Sequence, residues 1–521
     1  VGYNRVLRKI RIAVCPHSPP KPAFPAYAIM EPAYLHPTNP NNGSPLTPVR
    51  CVPIAEISAC VQRARQAQTH WQALSLRQRS HYLHRFSQEV ARSAERIADC
   101  LCQTQGKSQF DAYGEIFTVL ELCQYVRRVA GQILRARGAF PLSGLYRSHR
   151  LVYEPYGVVG VIAPWNYPFN LSLQPMLAAL IAGNSVLLKP SEHTPHIGAE
   201  IAKLFAQAGF PADVVTVLQG DGAVGQGLIA AGIDKLVFTG SVAVGRQVAR
   251  LAGEHLLPLT LELGGKDVAI VLATADLQRA AQGIAWSANV NAGQACLAVE
   301  QVFVESAVAD EFLHALHQTY ANLRVGDSTD PAADITAITT PAQLAKIQAL
   351  VADAVQCGAR LVCGGQIVHS AGRFFQPTIL TAVPESARIW QEEIFGPVVV
   401  VQTVADATEA IARTNASPFG LTASVWTRNR AHGRAIAAQL QVGDVAINEH
   451  GAPAGHAEIA WGGRKASGFG KTRGKEGLLE MVVQKHISWD WWDRPREAHW
   501  FPNAKRSAKF LQRVIGWLFG R

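Results

Sequence analysis

The sequence predicts an α/β protein made of two parallel-sheet units that meet near residue 262. Three observations carry that expectation. Between residues 157 and 450, short apolar runs alternate with helical stretches, the pattern of a parallel sheet covered on both faces. The 521 residues exceed what a single core fills. Hydrophobic residues make up 48% and charged residues 17%, a globular balance. No apolar run reaches the ~18 residues that a spanning helix needs.

The elements follow in chain order. Residues 1–48 hold the proline-dense stretches PHSPPKPAFP and HPTNPNNGSPLTP and are expected to form an extended or disordered leader. Residues 52–129 have few glycines and long amphipathic stretches such as ISACVQRARQAQTHWQAL, so helices are expected. RSHRLVYEPYG, residues 147–157, alternates like a strand. GVVGVIAPWN reads as a buried strand ended by a turn at Pro164. LAALIAGNSVLLKPSE reads as a helix ending near Gly183 and a strand over 185–188. A helix over 198–209, a strand over 214–220, a helix over 224–231 and a strand over 235–240 follow. LPLTLELGGKDVAIVL opens a second strand series, and residues 300–450 repeat the alternation.

Charge and cysteine usage narrow the function. The net charge of +10 sits at the ends: residues 1–30 carry +5 and residues 494–521 carry +6, which leaves −1 for the body. A nucleic-acid enzyme would carry its basic charge on a folded face, so no nucleic-acid partner is expected. The nine cysteines are odd in number and scattered, which suits reduced thiols in a cytoplasmic protein. Cys100 and Cys102 have no second pair, and His193 and His196 have no ligand cluster, so no metal site is expected.

Several compact stretches can carry chemistry. NVNAGQACLAVEQ contains Cys296, which is a nucleophile or, as most free cysteines are, a small buried apolar side chain. LELGG places Glu262 at a strand end, as a base or as a salt-bridged acid. KLVFTGSVAVGR is a strand followed by Gly240 and Gly245 opening a helix, whose free N–H groups can receive a phosphate. PWNYPF, LLKPSE and EEIFGPVV are equally unusual.

Together these motifs, from about residue 52 to 487 and in family order, resemble the aldehyde dehydrogenase superfamily. The resemblance implies an NAD-binding domain (49–138 and 156–262) of Rossmann-like type, a catalytic domain (263–477) and an oligomerisation arm (139–155 and 478–490). It implies that Cys296 attacks the aldehyde carbon, with the Asn166 amide and the Cys296 N–H holding the oxyanion. It makes Glu262 the activator of the water that hydrolyses the resulting thioester. For the cofactor, Lys189 and Glu192 would bind the adenine ribose, and a carboxylate there favours NAD over NADP, with NADP use left open. Ser241 and the helix after Gly240, with Gly245, would receive the pyrophosphate. Glu393 would hold the nicotinamide ribose, with Phe395 near the ring; Trp165 is either a cofactor neighbour or a packing aromatic. The substrate pocket would involve Tyr167, Leu171, Gln174, Leu297 and Trp461. None of these is a cation, which points to an apolar aldehyde.

Two departures stand out. Some branches carry a lysine, proposed to relay protons from the base, where this chain has Pro175. Trp461 replaces a usual phenylalanine. YPFNLSLQPML resembles the branch that includes fatty aldehyde dehydrogenases, several of which carry a membrane-associating tail. Two other classes compete: a CoA-acylating relative, which can do without Glu262, and a catalytically silent binding protein, which would lack Cys296, Glu262 or Asn166.

The tail, residues 491–521, lies beyond these motifs. On a helical projection of KRSAKFLQRVIGWLFGR, Lys505, Arg506, Lys509 and Arg513 fall on one side, and Phe510, Leu511, Val514, Ile515, Trp517, Leu518 and Phe519 on the other. Such a helix suits a membrane interface or docking on the enzyme body or a neighbouring subunit. The family implies a homodimer or homotetramer.

Overall fold

A computed structural model describes residues 33–139, 147–368, 371–451, 455–492, 495, 500–501 and 505–520. The leader through residue 32, the arm's residues 140–146 and parts of the tail lie outside the described residues. The expectation of a disordered leader fails from residue 33 onward. β1 (Tyr34–Leu35) pairs antiparallel with β2 (Val49–Arg50). Between them, Asn41 is buried: its Nδ2 donates to Cys102 O at 3.1 Å, and its Oδ1 accepts the Ser328 N–H at 3.1 Å. Proline density stiffens this segment, and the amide of Asn41 pins it.

Four helices follow as expected: Ile54–Ala73, Leu76–Arg92, Ala94–Thr104 and Gln109–Ile133. Ser75 and Gln78 form a reciprocal capping box at the start of the second. Trp71, Leu83 and Phe86 from this layer join Leu173 and Leu177 in one core. The last two belong to the helix Asn170–Ala182, buried along nearly its whole length and closed by Gly183 in the left-handed region at φ +104°.

β3 (Arg137–Gly138) and β4 (Arg147–Pro155) begin the arm. The first large sheet takes β5 (Val158–Ile162), β6 (Ser185–Lys189), β7 (Val215–Val217), β8 (Lys235–Thr239) and β9 (Leu259–Glu262). β7 is shorter than expected, because Gly220, at φ +150°, turns the chain toward the next helix. The helix expected from 198 starts earlier, at Pro195, a residue suited to a first helical turn. The second sheet takes β10 (Asp267–Val271), β11 (Val299–Glu305), β12 (Arg360–Cys363), β13 (Thr378–Thr381), β14 (Val398–Val404), β15 (Thr422–Trp426) and β16 (Asp444–Ile447). β17 (Gly468–Phe469) and β18 (Val482–Asp490) complete the set.

The strand orders are β17-β9-β8-β5-β6-β7 and β12-β13-β14-β11-β10-β15-β16. Within the first sheet β5 to β9 run parallel, and β17 closes the edge antiparallel to β9. The change of sheet falls between Glu262 and Asp267. The chain thus arrives at the junction on the carboxyl end of β9 and leaves it on the amino end of β10. A third sheet, β18-β4-β3, has β18 and β4 in register over nine residues, from Val482↔Pro155 to Asp490↔Arg147.

Candidate active site

One cleft at the sheet junction brings the motifs together. Pro164, Trp165 and Asn166 follow β5, Thr239 to Ser241 end β8 and begin the next helix, and Glu262 ends β9; all line it. Cys296, just before β11, and Glu393 and Phe395, just before β14, line it from the other side. The first sheet thus supplies carboxyl strand ends, as parallel sheets usually do, and the second supplies amino ends.

The loop that leads to Cys296 has an unusual backbone. Asn291, Ala292 and Gly293 all have positive φ, at 52°, 55° and 72°. Glycine accepts this readily, but for Asn291 and Ala292 it costs about 1–3 kcal/mol each. A buried polar lattice holds the turn. Asn291 Nδ2 donates to Asn166 O at 3.1 Å, and Asn291 Oδ1 accepts from Gln105 Nε2 at 3.0 Å. Gln294 Nε2 donates to Asn291 O at 3.0 Å, while Gln294 Oε1 accepts the Thr339 N–H at 2.9 Å. Asn166 Nδ2 donates to Gln294 O at 3.0 Å, which engages one of its two N–H groups. Among the described residues the backbone N–H of Cys296 has no hydrogen-bond acceptor.

Sequence reading missed a second clamp on this side. Lys107, fully buried, donates to Asn166 O at 3.1 Å, lies 4.1 Å from the centre of the Tyr167 ring and pairs with Glu115 at 2.5 Å. Glu115 Oε1 accepts the N–H groups of both Phe169 and Asn170 at 2.8 Å. One buried ion pair therefore grips the PWNYPF turn at both ends. The only signal in the sequence was a lysine and a glutamate eight residues apart in a stretch that otherwise reads as helical.

The base side is different. Glu262 is buried, and neither carboxylate oxygen has a hydrogen-bond partner. Burial pushes its carboxyl up to about 8, opposed by the charges of Lys471 and Arg473. Burial also raises the Cys296 thiol, reinforced by the carboxylates of Asp267, Glu262 and Glu393 and opposed by Arg473. The thiol is therefore neutral in the resting site.

The expected cofactor residues divide. Lys189 Nζ meets Glu192 Oε2 at 2.6 Å. Burial works against the charged form of Glu192, yet Lys189 holds its carboxyl below the ordinary value. Ser241 caps the helix Val242–Glu254 and accepts the Val244 N–H at 3.3 Å. Gly245 does not line the cleft: a Cβ there would meet Leu263 Cδ2 at 2.5 Å, so this glycine serves helix–strand packing. Glu393 accepts the Gly265 N–H at 3.2 Å, and burial together with Glu300 raises its carboxyl to about 7. The buried pair Lys266–Glu300, at 2.9 Å, holds this loop, since Glu300 accepts the N–H groups of Ile394 and Phe395. Trp165 packs edge-on against Phe395, with ring centres 5.3 Å apart.

Of the expected pocket residues, Leu171, Gln174 and Trp461 line the cleft. Leu297 packs behind Trp461 and Leu421. Tyr167 faces Lys107 and is not in the lining. The five pocket residues expected from the sequence include no cation, but cations lie close by. Lys346 lines the cleft, and Arg473 Nε donates to Gln174 Oε1 at 2.9 Å. Arg473, in GKTRGKEGL, is not among the residues expected from the sequence. Among the described residues no cluster of potential metal ligands occurs.

Two parallel sheets joined at a cleft that holds a cysteine, a carboxylate and an amide donor define an α/β dehydrogenase architecture. A sequence model of the aldehyde dehydrogenase family matches residues 30–487. The chain is 37% identical over 473 residues to the 4,4'-diapolycopene aldehyde oxidase of Methylomonas sp, covering 89% of this chain and 88% of that one. It is 36% identical over 448 residues, 86% of each chain, to a Mycobacterium bovis protein named "Putative succinate-semialdehyde dehydrogenase [NADP(+)] 2". Among solved structures, the NAD-dependent aldehyde dehydrogenase of Sinorhizobium meliloti superposes with a TM-score of 0.85 at 31% identity, over 90% of this chain and 93% of that one. The chain belongs to the aldehyde dehydrogenase family.

Proposed function

We propose that this protein oxidises an aldehyde with an apolar body to the carboxylic acid, using NAD in preference to NADP. The observation that carries the reading is the convergence of Cys296, Glu262 and Asn166 on one cleft, from three different elements. Cys296 Sγ forms a bond to the carbonyl carbon as its proton passes to the Glu262 carboxylate, which returns it to solvent before the hydrolytic step. The Asn166 amide and the Cys296 N–H stabilise the oxygen of this thiohemiacetal, where neutral donors act most strongly on developing charge. Bound NAD supplies the acceptor for the hydride, and the carbon stays joined to sulfur as a thioester. Glu262 takes a proton from water, which attacks the thioester, releases the acid and restores the thiol.

Gly240 and Ser241 at a helix start, Glu393 on its held loop and the Lys189–Glu192 pair suit a dinucleotide, and the carboxylate of Glu192 disfavours a 2′-phosphate. The similar proteins include one named for NADP and a Mycobacterium tuberculosis aldehyde dehydrogenase solved with NAD+, at 32% identity and a TM-score of 0.82 over 87% of this chain and 94% of that one. Leu171 and Trp461 in the lining, with Leu297 packed behind Trp461, support an apolar substrate body. Mixing the protein with aldehydes of varied chain length and either cofactor, without CoA, should yield reduced cofactor, faster with NAD; Cys296→Ala should be silent. No reduced cofactor from any aldehyde, or equal rates from Cys296→Ala, would reject the reading.

The location we propose is cytoplasmic, with the tail resting on an anionic membrane surface. The helix Lys505–Phe519 leaves Phe510, Ile515, Trp517 and Phe519 exposed, with Lys509 and Arg513 on the other side of the helical projection. Among the described residues no helix is long and apolar enough to cross a membrane. Vesicle sedimentation of the full chain against one ending at Asp493 checks the tail, with equal binding of the two as the negative result. The exposed Val483, Ile487 and Trp489 of β18 support a homodimer or homotetramer, which light scattering measures.

A further inference from the structure

Glu262 is buried and Arg473 half-buried, and these two groups of opposite charge each hold buried polar atoms without a partner. Neither oxygen of Glu262 is bonded, and Arg473 Nη1 is likewise buried and unbonded, although its Nε is held by Gln174. Leaving either group unpaired in a dry site is costly. The other charged groups that act on Glu262, Lys471 first among them, each have a partner of their own. Lys471 Nζ donates to Gly462 O at 2.6 Å. Glu480, of like charge, accepts from Lys235 Nζ at 2.9 Å and from Thr260 Oγ1 at 3.0 Å. Near the thiol, Asp267 is bonded to Thr422 and Glu393 to Gly265. Arg473 is thus a cation beside the base with a buried N–H that has no partner, while Lys471 gives one of its three N–H groups to Gly462.

Its backbone points the same way. Arg473 has φ 59° and ψ 178°, a region that favours glycine, and the surroundings hold it there. Strain of this kind clusters at functional sites. Gln174, the residue that fixes the guanidinium, lines the same cleft as Glu262.

We propose that Arg473 is the counter-ion of Glu262 in the working enzyme, pairing through its free Nη1, directly or across one water, and so fixing where the base carboxylate points. This rests on the reading of Glu262 as the hydrolytic base. Arg473 is a positioning residue: a nearby cation favours the charged carboxylate, and only the charged carboxylate can take a proton from water. Loss of the cation therefore moves the rise of hydrolysis with pH toward higher pH.

The test is the pH profile of acyl-enzyme hydrolysis, followed by rapid quench and mass spectrometry with NAD and aldehyde, in wild type, Arg473→Met, Arg473→Gly and Arg473→Lys. The glycine variant relieves the backbone and guards against misfolding. The expected result is a profile shifted up by about one pH unit in the methionine and glycine variants and restored by lysine. A profile unmoved in folded variants that still bind NAD overturns the proposal. So does an effect confined to KM for carboxylated aldehydes, which would make Arg473 a substrate anchor. Failure of the wild type to form any acyl-enzyme would instead refute the function on which the proposal rests.

Discussion

The two halves of the cleft are built on opposite principles. On the nucleophile side, Asn166, Asn291 and Gln294 are each tied by several buried hydrogen bonds, and the Lys107–Glu115 pair locks the turn between β5 and the next helix. On the base side, Glu262 has no hydrogen bond at all. The chemistry explains the difference. An oxyanion donor helps only if it is in place before charge develops, so its site is rigid in advance. If Glu262 is the base, as proposed, it must reach a water after hydride departure, and a carboxylate bound on all sides would be less free to do so.

The largest effect that breaks this contrast should come from Asn166→Ala. Removing the amide donor should lower kcat by about 10²–10³-fold, with cofactor affinity kept, as measured by steady-state kinetics and NAD titration.

Lys107→Met comes next and sharpens the comparison, because the lysine acts through Asn166 and Tyr167. It strands the Glu115 carboxylate, so the protein should lose about 3–5 kcal/mol of stability, and kcat should fall by roughly 10²-fold through misplacement of the turn. Adding Glu115→Gln removes the stranded charge while keeping an acceptor for Phe169 and Asn170. Thermal melts of the double variant should recover while kcat does not. Recovery of both would mean that the clamp serves stability alone.

The remaining effect is on stability alone and is a matter of pH. Glu262 holds its proton to about 8 in the folded protein but only to about 4.3 when unfolded. As pH rises between these values, the unfolded chain releases the proton first, and the folded state is progressively penalised. Glu262→Gln should therefore melt with wild type at about pH 4 and above it at about pH 8.5. Equal melting at both would show that the base is not forced to stay protonated.

What was legible in the sequence follows the same division. The strands announced themselves as runs of valine, leucine and isoleucine, and the sheet junction as LELGG, because burial on both faces leaves a local trace. Cys296, Glu262 and Asn166 were legible through motifs. Lys107, Gln105 and Arg473 were not, since each gains its meaning from a partner far along the chain: Gln105 from Asn291, Lys107 from Asn166, Arg473 from Gln174. Gly245 was misread for the opposite reason, as a helix start looks the same whether its glycine faces a ligand or Leu263.

The left-handed turn at residues 291–293 has a practical corollary for anyone redesigning this scaffold. A Cβ on Gly293 would lie 2.2 Å from the carbonyl of Gly396, so the backbones of the two loops interlock. The 392–395 segment is bolted down in turn by Glu300, at the start of β11. Transplanting either loop from a relative, to retune its cofactor or its thiol, would bring a mismatched half of a keyed joint. The segments 289–300 and 392–398 form one exchangeable cassette, and grafts should carry both.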